Sequence, residues 1–258
     1  MAGLLEGVTV ANTRAAHQAA QFSALIREHG GSTFEAPLIK VFLSEDVREE
    51  SNVFSRLHSF DAIIFTSTNA VAFTLEALEE AGLSVQDLAR VPVACVGTKT
   101  EAALTEHGIS VSYMPDRFDA ENLAAELIRH LSKGSCVLYP RSRMARTVLK
   151  DTLTARGIYV EDPVIYDTGP DDQGAMRLKK AVLARQTDVI PFFSPSAVRA
   201  FFSHLSMEER EQISRTCLIA AIGPVTEQAL RQERVTHYTV ARRYTAEGMI
   251  EAVADALS

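Results

Sequence analysis

Nowhere does the chain carry an apolar run approaching the ~18 residues of a membrane-spanning helix, so no membrane span is expected. Its opening, MAGLLEGVTV, has no basic segment ahead of an apolar stretch, which argues against a secretory leader and for a cytoplasmic protein. Cysteine is scarce. Cys95, Cys136 and Cys217 are odd in number, widely spaced and without a CxxC pair. That excludes a disulfide framework and a zinc site, and leaves buried, reduced thiols in strand-like runs. The seven histidines are scattered, with no two at ligand spacing beside a carboxylate, so no metal is expected. Positive charge is also short: 26 Lys+Arg face 33 Asp+Glu, for a net charge of -7. A whole-surface nucleic-acid binder would be basic. The phosphate-cradling GxxxxGK[ST] and GxGxxG motifs are missing, and GTKT at 97–100 shares only the tail of the first. No GxSxG elbow is present and no lysine sits in a recognisable Schiff-base setting, so no cofactor is expected.

What is present is an ordinary globular composition, 47% apolar and 23% charged, in 258 residues. At roughly 100–200 residues per domain, that is one large domain or two small ones. The chain also repeats itself at an offset of 126–127 residues. VTVANTR (8–14) answers CVLYPRS (136–142) with a one-residue shift that sets Arg14 opposite Arg141. PLIKV (37–41) answers PVIYD (163–167), and DAIIFTSTNAVAF (61–73) answers DVIPFFSPSAVRA (188–200). VACVGTKTEAAL (93–104) answers IAAIGPVTEQAL (219–230), and FDAENLAAEL (118–127) answers YTAEGMIEAV (244–253). A period of this length is a domain, not a solenoid unit. Two homologous halves follow, each expected to be a compact α/β unit.

Within each half, short apolar runs precede stretches with helical spacing. VTVAN leads into a helix near 14–29, DAIIFTS into one near 69–81, and VPVACVG into one near 99–107. The strands do not alternate with polar residues, which implies burial on both faces, as in a parallel sheet covered by helices. The expected class is therefore α/β, with two similar doubly wound parallel-sheet domains. The matching segments Pro37–Phe42 and Pro163–Thr168 are the candidate interdomain connectors.

In open parallel sheets, ligands bind beyond the carboxyl ends of the strands. The residues there are Arg14; Thr66, Ser67, Thr68 and Asn69; Gly97 and Thr100; Arg141; Ser194 and Ser196; and Gly223 and Thr226. Hydroxyls, glycines and arginines ahead of helix N-termini suit carboxylate or phosphate oxygens, although single Ser and Thr residues also serve as plain caps. Arg141, Arg143 and Arg146 form a local basic cluster on an acidic chain, which points to an anionic small molecule. Tyr166 breaks the repeat by standing where the first half has Lys40. A phenol is a neutral donor at pH 7, able to protonate a leaving group or to hold a carboxylate.

The strand-end FTSTNAV (65–71), YPRSRMAR (139–146), VIYDT (164–168), FFSPSAVRAF (192–201), AAIGPVTEQAL (220–230) and YTAEGMIEAV (244–253), in this order, resemble the uroporphyrinogen-III synthase family over the whole chain. The chain differs from the family in two loops. The family often has glycine after Pro-Arg, where Ser142 stands, and two threonines after Gly-Pro, where Val225 and Thr226 stand.

The resemblance implies two α/β domains joined by a two-stranded ladder, with a cleft between them. Domain one would be 1–37 plus 168–258, domain two 43–162, with 38–42 and 163–167 as connectors. It implies a lyase that cyclises the linear octacarboxylate hydroxymethylbilane, losing water and inverting the last pyrrole ring. The hydroxymethyl group ionises to an azafulvenium cation. Attack by the substituted α-carbon of ring D gives a spiro intermediate that fragments and recloses. Tyr166 would be the proton donor. Thr66, Ser67, Thr68, Asn69, Gly97, Thr100, Ser194, Ser196, Gly223 and Thr226 would hold the substrate, with Arg14 and Arg141 as carboxylate anchors. A monomer and a transient contact with the bilane-forming hydroxymethylbilane synthase complete the expectation. The rival classes are a non-enzymatic two-lobed sensor of a polycarboxylate or tetrapyrrole, which would close without turnover, and a nucleotide-dependent transferase, disfavoured by the missing phosphate motifs.

Overall fold

The computed structural model describes residues 3–46 and 51–258. In chain order its strands are β1 (Thr9–Asn12), β2 (Ser32–Glu35), β3 (Ile39–Leu43), β4 (Ala62–Phe65), β5 (Val93–Cys95), β6 (Cys136–Leu138), β7 (Arg141–Ser142), β8 (Tyr159–Glu161), β9 (Val164–Pro170), β10 (Val189–Phe192), β11 (Leu218–Ala221) and β12 (Thr239–Val240). They fall in two compact units: residues 1–40 with 169–258, and residues 41–168.

The first unit carries a five-stranded sheet in the order β12-β11-β10-β1-β2, with every pair parallel. The second carries β5-β4-β6-β8, again parallel throughout, with Tyr113 bridging to Ala94 beyond β5. The sequence repeat makes the two orders equivalent, because β10, β1 and β2 match β4, β6 and β8. The repeat does not match the units, however. Each unit takes its β1-like strand from one half and its β10-like strand from the other. The expectation that each half is itself a compact unit is therefore corrected. A β1-type strand finds its buried parallel partner only in the other half of the chain, as Val10 does at Val189.

Burial follows the uninterrupted apolar runs. All four residues of β4 and all four of β10 are buried. Their side chains alternate between layers, Ile63 and Phe65 into one cluster and Ala62 and Ile64 into another. In the first unit, Ile190 and Phe192 face one cluster while Val189 faces the other. Helices cover both faces, and fully burying such a side chain contributes about 1.5–3 kcal/mol.

Helix ends obey local chemistry. Ser67 and Ser194 cap the helices Thr68–Glu80 and Pro195–Phe202 by accepting from the N–H of Ala70 and Ala197. Gly30 and Gly157 take the left-handed conformation just past their helices, at φ 84 and 77. The chain passes between the units inside β3 and β9, which pair in the ladder β3-β9-β7. Backbone bonds from Asp171 to Leu38 and from Ser44 to Ile165 close its ends. Cys217, read as a strand residue, is instead the C-cap of the helix Met207–Thr216.

Candidate active site

A doubly wound sheet offers its ligand crevice where the strand order reverses. In the second unit that point lies between β4 and β6, and in the first between β1 and β10. The two crevices are chemically different.

At the end of β4, Ser67 Oγ lies 2.9 Å from the Tyr166 hydroxyl. Tyr166 reaches this point from β9, is buried, and stacks on Phe73 at 5.4 Å between ring centres. Ser67 is held in turn by the Ala70 N–H at 3.0 Å. A phenol thus abuts the N-terminus of a 13-residue helix, where negative charge is favoured. Across the reversal, Thr66 Oγ1 is 3.4 Å from the Tyr139 hydroxyl, and burial pushes the Tyr139 pKa up. Tyr139 was not singled out from sequence. Its signal was a polar side chain ending an apolar strand at the repeat position of Asn12.

In the first unit, Asn12 is fully buried and donates to Ala19 O at 2.8 Å and Ser23 Oγ at 2.7 Å. Thr13 donates to the carbonyl of Pro191, tying β1 to β10. Arg14 lies over the Phe193 ring at 4.6 Å and donates to Gln18 at 3.0 Å. Burial pulls the pKa of its guanidinium down. Phe193 meets Phe22 edge-on, 4.9 Å away, so the guanidinium rests on a braced aromatic surface.

The remaining expected residues divide by position. Ser194 Oγ is 2.9 Å from Ser196 Oγ, with Ser196 exposed. Thr68 and Asn69 open their helix, Thr68 exposed and Asn69 half-buried. Gly97 and Gly223 are helix N-caps. Thr100 and Thr226 are buried in the first turns that follow, which leaves little of either for a ligand.

The basic cluster does not stand free. Arg141 donates to Asp162 at 2.7 Å, and Lys150 takes the other oxygen at 2.6 Å. Arg143 pairs with Asp46 and Asp167, and those bonds raise its pKa. Arg146 faces Glu121 at 3.7 Å. Repeat-equivalent Arg14 and Arg141 therefore differ: one lies on an aromatic ring, the other on a carboxylate. Among the described residues, no group of three or more His, Cys, Asp or Glu is placed to hold a metal ion, and no helix is long and apolar enough to cross a membrane.

A family model described as uroporphyrinogen-III synthase HemD matches residues 20–251. A protein of Methanothermobacter thermautotrophicus, provisionally named as a uroporphyrinogen-III synthase, is 32% identical over 252 residues, covering 95% of this chain and 97% of that one. The uroporphyrinogen-III synthase of Chlorobaculum parvum is 28% identical over 253 residues, at 96% and 99% coverage. The solved uroporphyrinogen-III synthetase of Helicobacter pylori shares the fold, with a TM-score of 0.50 at 20% identity and coverage of 97% and 99%.

Proposed function

The chain belongs to the uroporphyrinogen-III synthase family, and from that premise we propose that its Ser67–Tyr166 hydroxyl pair drives the loss of water that starts cyclisation of hydroxymethylbilane. The pair's 2.9 Å contact at a helix N-terminus is the observation that carries this reading. Tyr166 donates its proton to the departing hydroxyl as the C–O bond breaks, leaving an azafulvenium cation and water. The resulting phenolate accepts a hydrogen bond from Ser67 and lies at the positive end of a helix, so the donor is paid back in stabilisation as it loses its proton. Ring closure on ring D, fragmentation of the spiro intermediate and reclosure release one proton. That proton restores the phenol, so atoms and charge balance.

Uncatalysed closure gives the non-inverted isomer, so holding a folded conformer matters as much as acid catalysis. Strand-end groups bind the substrate's carboxylates in this reading. In the second unit these are Thr66, Thr68, Asn69 and Gly97, with Arg141 shared between substrate and Asp162. In the first they are Arg14, Ser194, Ser196 and Gly223, while buried Thr100 and Thr226 shape the first helical turns behind them. The functional domains are 1–37 plus 168–258 and 43–162, with 38–42 and 163–167 as connectors. The protein works as a cytoplasmic monomer, without a cofactor, and takes its unstable substrate from the enzyme that forms it.

The test is a coupled assay in which hydroxymethylbilane is generated in situ, the products are oxidised, and porphyrin isomers are separated by chromatography. Predominantly isomer III is expected. Isomer I at the no-enzyme level, from folded protein, overturns the reading.

A further inference from the structure

Two glycines at strand ends are explained by neither turn geometry nor strain. Gly97 and Gly223 have φ of -171 and 173, extended backbone that any residue adopts. What they lack is room. A Cβ on Gly97 would sit 3.1 Å from Cγ of Phe118, and one on Gly223 would sit 3.0 Å from Cδ1 of Tyr244. In each unit, then, an aromatic ring lies directly on the backbone where a strand turns into a helix.

The arrangement occurs twice at repeat-equivalent positions: β5 to Gly97 under Phe118, and β11 to Gly223 under Tyr244. Both aromatics immediately precede a helix N-cap, Asp119 or Thr245. A residue at that position commonly folds onto its own helix as a hydrophobic staple, which would bury it. Here Phe118 is 54% exposed and Tyr244 is 67% exposed. Large apolar surface is thus held out toward solvent, one strand away from each sheet's reversal point. A strand spacing is about 4.8 Å, so each ring lies close to its unit's crevice.

We infer that Phe118 and Tyr244 are stacking platforms for pyrrole rings of the linear tetrapyrrole. This rests on the synthase reading and extends it. A pyrrole presents a flat π-face to an aromatic ring, and offset stacking holds it without demanding a charge partner. The acid arms of the same pyrrole meet the N–H groups of the helices Thr98–Glu106 and Pro224–Gln232, which start at the two glycines. The platforms fix ring faces while the hydroxyl loops fix carboxylates. The Tyr244 hydroxyl is not needed for stacking, which fits the Phe-for-Tyr exchange between the two positions.

The experiment compares Phe118→Ala, Phe118→Tyr, Tyr244→Ala and Tyr244→Phe with wild type in the isomer-resolved coupled assay. Circular dichroism checks folding, and uroporphyrin III fluorescence titration provides a turnover-free readout. Each alanine variant is expected to raise KM roughly tenfold, with a smaller change in kcat and more isomer I, and to weaken uroporphyrin III binding to a similar degree. The aromatic exchanges restore both. Wild-type KM and wild-type porphyrin binding in both alanine variants overturn the proposal. So does a self-associating wild type that the alanine variants convert to monomer without loss of binding, since the rings would then serve a second copy. If wild type itself makes only isomer I, the synthase reading fails and the porphyrin titration alone decides the role of the rings.

Discussion

The two units share a sheet order but not a chemistry. In the second, the reversal between β4 and β6 gathers hydroxyls on phenols, Ser67 on Tyr166 and Thr66 on Tyr139. In the first, the reversal between β1 and β10 is sealed by Asn12 and Thr13 and presents Arg14 on Phe193. A duplicated scaffold has kept its parallel core and diverged where the strands end. One reversal carries paired hydroxyls and the other a guanidinium on an aromatic ring, which the proposed function reads as a proton donor in one unit and an anion holder in the other.

That division is most sharply tested at the two N-cap serines. Tyr166→Phe should lower kcat about 100-fold, the lower end of what a positioned acid contributes, and Ser67→Ala about tenfold. Ser194→Ala, at the equivalent cap, should act mainly on KM and on stability, costing about 1 kcal/mol. Isomer-resolved kinetics decide the matter, and equal kcat losses at both serines would erase the distinction. A second contrast concerns the strand ends themselves. Asn12→Ala should destabilise the protein by about 2 kcal/mol, because its buried amide satisfies two acceptors. Tyr139→Phe, at the repeat-equivalent position, breaks only a 3.4 Å contact and should cost under about 1 kcal/mol. Denaturant melts of the two variants would refute the contrast by coinciding.

Smaller effects separate the paired arginines. Arg141→Ala should lower stability by about 1 kcal/mol, since Lys150 still serves Asp162. Arg14→Ala should raise KM roughly fivefold with a modest change in melting temperature. A KM effect confined to Arg141 would reverse their assignments. The smallest expected signal is from the thiols. Burial pushes the Cys95 pKa up to about 11, so at pH 8 only about one thiolate in a thousand is present. Cys95 in the second unit and Cys217 in the first should both resist labelling until denaturant is added, because burial raises both. Half-buried Cys136 should label first, and rapid native labelling of Cys95 would contradict its placement.

Much of this was legible in the chain itself. The period near 127 residues, the apolar strands and the capping serines specified a duplicated parallel α/β architecture, because those features are set by local propensity and two-sided burial. Helices read near 69–81 and 99–107 lie at 68–80 and 98–106. The exchange of strands between halves was not written in any local pattern, since β1 could pair equally well, by composition, with a strand of its own half. The arginine run illustrates another limit. Arg141, Arg143 and Arg146 read as a basic cluster because their carboxylate partners, Asp162, Asp46, Asp167 and Glu121, lie elsewhere in sequence and arrive only through folding. Gly97 and Gly223 read as substrate-binding residues at strand ends, whereas Phe118 and Tyr244, some twenty residues further on, crowd the space a Cβ would take at each.

The double passage of the chain through β3 and β9 also bears on how the protein is made. The segment 41–168 is uninterrupted and can fold as soon as it has emerged during synthesis, whereas β1 must wait for β10, 179 residues downstream at the Thr9–Asp188 pairing. Closing so long an unstructured loop is entropically slow. Once the inserted segment has folded, however, the β3–β9 ladder holds its two ends side by side, and the effective loop shrinks from 179 residues to about 50. The early-born β1–β2 arm is then presented to a nascent β10 at high local concentration. Assembly order is thereby built into the connectivity: the insert matures first and acts as the template on which its host closes.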